Sequence, residues 1–76
     1  MDTVNLRLVL DSETPIHEYL EDGIITEYFT QDNGTYDVII KDVDEVLIES
    51  LGPDELSEFF GIESEFLIAI QVLEFA

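Results

Sequence analysis

The side chains in this 76-residue sequence that could do chemistry are almost all carboxylates. The sequence holds 19 Asp and Glu residues, a single histidine, His17, and no cysteine. A histidine beside Glu18 in a short helical segment is typical of a surface position, and no pair of carboxylates stands out from the others. Glycoside hydrolysis needs two carboxylates flanking a sugar cleft, for which so short a chain has little room. We therefore expect that the protein is not an enzyme.

Two acidic stretches supply oxygen atoms that hard metal ions prefer. They are DVDE at 42–45 and QDNG at 31–34. Neither follows the ligand spacing of a calcium-binding loop, and Asp32-Asn33-Gly34 is explained by a hairpin turn. The sequence also has no glycine-rich phosphate loop. We expect no dedicated metal site and no cofactor.

The net charge indicates the kind of partner that the chain would bind. Only Arg7 and Lys41 oppose the acidic residues, and the formal charge is −17. Such a chain cannot neutralise the phosphates of a nucleic acid, and it is repelled by an anionic membrane surface. Because self-repulsion opposes folding, a field of this strength suggests that the charge is used. The expected partner is a basic protein surface, and the sequence leaves the oligomeric state open.

Length and composition predict a single small domain spanning residues 1–76. The hydrophobic content of 46% is enough for a core, which must hold the fold without disulfides because there is no cysteine. The N-terminus lacks a basic start, and no stretch approaches the length of a membrane span. We expect no signal peptide and a cytoplasmic location.

The apolar pattern predicts a mostly antiparallel sheet of four to five strands. Alternation over 4–10 predicts a half-buried strand. Segments 24–31 and 35–40 are rich in β-branched and aromatic residues and flank an Asn-Gly pair, which predicts a hairpin. The segment 66–73 is apolar on both faces, which is typical of a central strand.

Two short helices complete the predicted α+β fold. One covers 16–21, after Pro15. The other begins at Pro53 and ends before Gly61. Residues 43–51 fit a strand or a helix equally well, and the sequence does not decide between them.

Acidic and apolar residues alternate between positions 45 and 61 at strand or helix spacing. Carboxylates two apart on a strand, or three to four apart on a helix, lie roughly 5–7 Å from each other. This separation is comparable with that of successive phosphates along a DNA strand. The apolar residues among them form either an ordinary core-facing stripe or an apolar floor beside an acidic ridge. Both interpretations remain open at this point.

The segment VLIESLGPDELSEFFG, residues 46–61, resembles the central part of the bacteriophage uracil-DNA glycosylase inhibitor family. Members of that family are small, very acidic α+β proteins that mimic DNA. In them a strand ending in Glu-Ser and an apolar residue enters the DNA groove of the enzyme. The resemblance implies that Glu49, Ser50 and Leu51 form this strand end.

The family also has an acidic helix that lies near the enzyme and a hydrophobic pocket. That pocket receives the apolar side chain that the enzyme otherwise inserts into DNA. The resemblance implies that three helix carboxylates face the basic groove, namely Asp54, Glu55 and Glu58. It further implies that three apolar side chains line the pocket, namely Leu56, Phe59 and Phe60.

The expected function is therefore that of a DNA-mimicking protein that blocks the DNA-binding site of uracil-DNA glycosylase. One alternative is an acidic DNA mimic directed at another nucleic-acid enzyme, as an anti-restriction or anti-CRISPR protein is. A generic acidic interaction domain is the third interpretation. An inhibitor encoded by a phage would act in the cytoplasm of the host cell.

Overall fold

The computed structural model describes residues 2–73, which form a four-stranded antiparallel sheet and three short helices. The strands are β1 (Thr3–Leu10), β2 (Tyr28–Thr30), β3 (Tyr36–Asp44) and β4 (Leu67–Leu73). The helices are α1 (Ile16–Glu21), α2 (Glu45–Ser50) and α3 (Pro53–Phe59), and a 3-10 turn, Ser64–Phe66, leads into β4. The strand order is β2-β3-β1-β4. The predicted α+β class is confirmed, with one helix more than the sequence indicated.

The core lies between one face of the sheet and the helices. Leu6, Leu8 and Leu10 of β1 are fully buried, as their alternation predicts, and each contributes about 1.5–3 kcal/mol by leaving water. They belong to one cluster with side chains from α1, α3 and the loops, namely Ile16, Tyr19, Ile25, Leu56 and Ile62. Partly buried side chains of α2 pack on the same cluster. All three helices therefore cover the same face of the sheet.

The predicted hairpin is present, although its first strand is shorter than expected. Strand β2 pairs with β3 from Tyr28 opposite Val38 to Thr30 opposite Tyr36. The turn is tightened by Asn33 Oδ1, which accepts hydrogen bonds from the backbone N and the hydroxyl of Thr35. Residues 24–27 lie outside the strand, and Ile25 among them is buried in the core.

Strand β4 lies at the edge of the sheet, so the prediction of a central strand was wrong. It pairs with β1 alone, from Asn5 opposite Leu73 to Leu10 opposite Leu67. Its side chains are at most partly buried, and Ile68 is 56% exposed. An apolar run on both faces is typical of a strand covered on both sides, and here it belongs to a strand whose outer edge pairs with no other strand among residues 2–73.

Candidate functional site

The segment 43–51, which the sequence left ambiguous, is divided between a strand and a helix. Strand β3 ends at Asp44, opposite Thr3 at the start of β1. The Asp44 side chain then accepts a hydrogen bond from the backbone N of Val46 at 3.0 Å, which caps the first turn of α2. Helix α2 begins where β1 no longer offers a partner strand.

This helix corrects the strand end that the resemblance implied. Glu49 and Ser50 occupy the last turn of α2 and are exposed, and Leu51 is its extended C-terminal cap. Leu51 is half-buried against the core. The spacing of Leu47, Ile48 and Leu51 favours a helix, because it brings all three side chains to the core.

Helix α3 matches its prediction closely and separates acidic from apolar side chains. Pro53 occupies the first turn, and Asp54, Glu55 and Glu58 are exposed. Leu56 is only 2% exposed and belongs to the core cluster. The described surface therefore offers a partner little of the Leu56 side chain.

The two phenylalanines after Leu56 differ in burial. Phe59 is 59% exposed, whereas Phe60 is half-buried against the core. Their rings meet edge to face with centroids 5.5 Å apart. The chain then turns at Gly61, whose φ of +89° favours glycine. Of the three expected apolar residues, Phe59 is therefore the one most open to a partner.

We use the term acidic helical surface for the exposed carboxylates of α2 and α3. It consists of exposed side chains on two consecutive helices, namely Glu45, Glu49, Asp54, Glu55 and Glu58. On α2, Glu45 and Glu49 are four positions apart, and on α3, Glu58 lies four positions from Asp54 and three from Glu55, so the carboxylates of these pairs are about 5–6 Å apart at Cβ. None of them forms a salt bridge to another described residue, because the ion pair within residues 2–73 joins Arg7 to Asp37. The surface therefore presents negative charge without an intramolecular counter-ion.

A small pocket lies between α2 and the sheet, next to the acidic helical surface. It has a volume of about 160 Å³ and is lined by Val4, Ile48 and Val72, with Glu45 and Glu49 at its sides. The sequence did not indicate this pocket. Its walls come from three elements far apart along the chain, so only the fold brings them together.

Sequence reasoning also missed Asp37, the most buried carboxylate that the structure describes. Asp37 is 5% exposed on the sheet face away from the helices. One of its oxygens, Oδ2, accepts hydrogen bonds from Arg7 and from Gln31, while Oδ1 has no partner. Arg7 also donates to Gln71 at 3.3 Å. This network ties three strands and the hairpin loop together on the face opposite the acidic helical surface.

The next groups are the histidine and the potential metal ligands within the part of the chain that the structure describes. His17 is exposed, and its ring meets Tyr28 edge to face at 6.4 Å. Among residues 2–73 there is no group of three His, Cys, Asp or Glu side chains placed to hold a metal ion. None of the helices in that range has the length and apolar character needed to cross a membrane. What the site offers chemically is fixed negative charge beside apolar surface.

Comparison with known proteins adds no relative. A scan of protein-family models, a search of curated proteins and a search of solved structures each found no match to this chain.

Proposed function

We propose that this protein is a DNA mimic, which inhibits a DNA-binding enzyme by occupying its DNA site with the acidic helical surface. The observation that supports the proposal is the set of five exposed carboxylates on α2 and α3 that lack a salt-bridge partner within residues 2–73. Helix geometry fixes their spacing near that of DNA phosphates. A rigid array also loses little conformational entropy on binding.

Uracil-DNA glycosylase is the first target to test, on the strength of the resemblance at residues 46–61. In this chain Glu49 would contact the enzyme from a helix and not from an extended strand end, since Glu49 lies in α2. Asp54, Glu55 and Glu58 would face the basic groove, and Phe59 would supply apolar contact. The alternative target is another nucleic-acid enzyme, as for an anti-restriction or anti-CRISPR protein. The inhibitor would act in the cytoplasm and without a cofactor.

The decisive experiment is a uracil-excision assay with a bacterial glycosylase and increasing amounts of this protein. A competitive, stoichiometric inhibitor abolishes excision at a fixed molar ratio to the enzyme. Absence of inhibition would reject this target. Parallel assays with a restriction endonuclease and a Cas nuclease then test the broader DNA-mimic proposal.

The first prediction compares two variants that each remove one exposed carboxylate. Glu49→Ala should weaken inhibition by about tenfold, or ~1.4 kcal/mol, because Glu49 belongs to the acidic helical surface. Glu13→Ala, in the loop before α1, should change it by less than about twofold. The inhibition constants of both variants provide the measurement. Equal losses would assign the effect to net charge and would contradict a specific surface.

The dependence of binding on salt concentration distinguishes a DNA mimic that also makes an apolar contact from one that binds by charge alone. Association steered by charge should slow as ionic strength rises. An inhibitor that also buries an apolar contact, here Phe59, should lose affinity less steeply than it loses association rate. A mimic that binds by charge alone should lose both in parallel. Stopped-flow association and equilibrium titration over the same salt series give the two slopes.

A further inference from the structure

The outer edge of β4 is unusually open for the edge of a sheet. Its seven residues, LIAIQVL, contain no charged residue and no proline, and on that side no described strand pairs with it. Ile68 and Val72 are 56% and 43% exposed. Proteins ordinarily protect edge strands with lysine, proline or inward-pointing charges, because unpaired backbone groups there attract another strand. In a chain with a charge of −17, this uncharged edge is a ready site for strand addition.

Carboxylates stand at both ends of this strand. Glu63 and Glu65 immediately precede it and are exposed. A hydrogen bond that protonated Glu65 donates to Glu63, together with the negative charge of Glu63, raises the pKa of Glu65, which reflects crowding of like charge at this end. At the other end, Glu45 and Glu49 flank Val72 in the small pocket. The edge is therefore apolar in the middle and negative at both ends.

The pocket at the second end has the size and polarity of a site for one long basic side chain. Its volume of about 160 Å³ is below the roughly 300–1,000 Å³ of sites that hold a whole small molecule. Its lining consists of three aliphatic residues and two glutamates. Lys and Arg bury their methylene stems on apolar surface while the charged group reaches a polar rim.

We propose that β4 binds an extended basic segment of a partner protein by strand addition, with one Lys or Arg side chain in the pocket between Ile48 and Val72. Backbone hydrogen bonds along the open edge would give affinity, and the carboxylates at the two ends would select positive charge. The proposal does not rest on the DNA-mimic function, although Glu45 and Glu49 belong to both surfaces.

A second copy of this chain is a poorer occupant of the same edge. In an antiparallel pair of β4 strands, the Glu63 and Glu65 end of one copy would lie beside the Glu45 and Glu49 end of the other. Like charges would meet at both ends, which disfavours the pairing. Charge complementarity therefore favours a basic segment over self-association.

The test uses a blocked nine-residue peptide of alternating valine and lysine, with a peptide of the same charge that carries proline in place of valine. Proline has no backbone N–H to donate and prevents strand pairing. In ¹⁵N NMR titrations, the valine peptide should shift the amides of 67–73 most, and the proline peptide should leave them unchanged. Equal effects of the two peptides, or no binding of the valine peptide, would overturn the proposal.

Matched variants locate the site. Ile68→Lys should weaken binding of the valine peptide by about tenfold, whereas Phe29→Lys should leave it within about twofold. Ile68 and Phe29 are 56% and 57% exposed and lie on the two opposite edge strands, so the change in charge and in exposed apolar surface is similar. Equal losses would assign binding to net charge and would overturn strand addition.

The pocket has its own pair of variants, which alter only exposed side chains and should fold normally. Glu45→Gln with Glu49→Gln should weaken peptide binding at least fivefold more than Glu18→Gln with Glu21→Gln, a matched double change on α1. Equal effects would remove the pocket from the proposal. Sedimentation of the free protein tests the alternative occupant, a second copy of the chain. If the protein is a dimer and Ile68→Lys dissociates it, the edge binds a second copy and the proposal of a basic segment is overturned. Uracil excision is measured separately and bears on the DNA-mimic function alone.

Discussion

At the residue scale, the most distinctive pair is Arg7 with Asp37. The carboxylate is buried, and the guanidinium donates to a single oxygen through Nε at 2.9 Å and through Nη2. Burying a carboxylate is expensive unless a cation and hydrogen bonds accompany it. One of the two cations of the chain is thus used to stabilise the interior of the sheet and not to offset the surface charge.

The two cations give a matched test of this role. Arg7→Met would leave the buried Asp37 carboxylate without its cation and should lower the free energy of unfolding by about 3 kcal/mol, the low end for a broken buried pair, since Gln31 still donates to it. Lys41→Met removes the same charge from an exposed residue with no ion pair to the described residues, and should cost less than about 0.5 kcal/mol. Urea unfolding measures both. Equal losses would show that the pair contributes only through net charge.

Variants of Phe59 and Leu56 distinguish the contribution of α3 to binding from its contribution to folding. Phe59→Ala should lower the free energy of unfolding by less than about 1 kcal/mol, because the ring is 59% exposed. Leu56→Ala should cost about 2–5 kcal/mol, since the side chain lies in the core. The sequence left open whether Phe59 faces the core or a partner, and its exposure makes it a usable probe of binding. A large loss of stability in Phe59→Ala by urea unfolding would contradict this assignment.

At the element scale, α2 shows where sequence patterns reach their limit. Residues 43–51 carry apolar side chains that satisfy either period, so hydrophobicity alone could not place the boundary between β3 and α2. Two features of the fold set this boundary. The pairing of β3 with β1 ends at Thr3 and Asp44, and the Asp44 carboxylate caps the helix that follows. The first of these depends on strand register, which a single sequence does not give.

The cap of α2 can be tested at one position. Asp44→Ala removes the oxygen that accepts from Val46 N and should lower the free energy of unfolding by about 1 kcal/mol. Asp44→Asn removes the same charge but keeps a capping oxygen, so it should cost only a few tenths of that amount. Urea unfolding of the two variants measures the difference. Similar stabilities of the two variants would show that the helix does not depend on this hydrogen bond.

Strand order was the other feature that the sequence could not supply. The alternation in β1 and the Pro53 start of α3 were predicted because both are local signals. The edge position of β4 depends on which strands pair with β1, and its apolar composition indicated the opposite. The open edge and the pocket beside α2 therefore became visible only with the fold, whereas the carboxylates of α3 were identified from sequence.

At the scale of the whole molecule, the acidic helical surface lies apart from the Arg7–Asp37 ion pair. Arg7 lies on the sheet face away from the helices, while the acidic helical surface lies on the helical layer. The negative groups on the helical layer therefore repel one another with little compensation by positive charge. Glu65, in the turn before β4, shows the effect of such repulsion, because the hydrogen bond it donates to Glu63 when protonated and the charge of Glu63 raise its pKa above the ordinary value of 4.5. A carboxyl group whose pKa is raised by folding holds more protons in the folded state, so stability is greatest below the ordinary pKa and is lost as pH rises through the raised one.

The raised pKa of Glu65 makes folding more favourable at low pH. The melting temperature should rise when the pH is lowered from about 7 to about 5. It should also rise, by at least about 5 °C, when NaCl is raised from about 0.05 to 1 M, because salt shortens the range of repulsion to a few ångströms. Glu63→Gln should lower the pKa of Glu65 towards its ordinary value and should raise the melting temperature more at pH 7 than at pH 5. Carboxyl NMR titration and thermal unfolding measure these effects. If salt leaves the melting temperature unchanged at neutral pH, the carboxylates do not repel one another strongly in the folded chain, and the premise that the protein retains a strong negative field for a basic partner is lost.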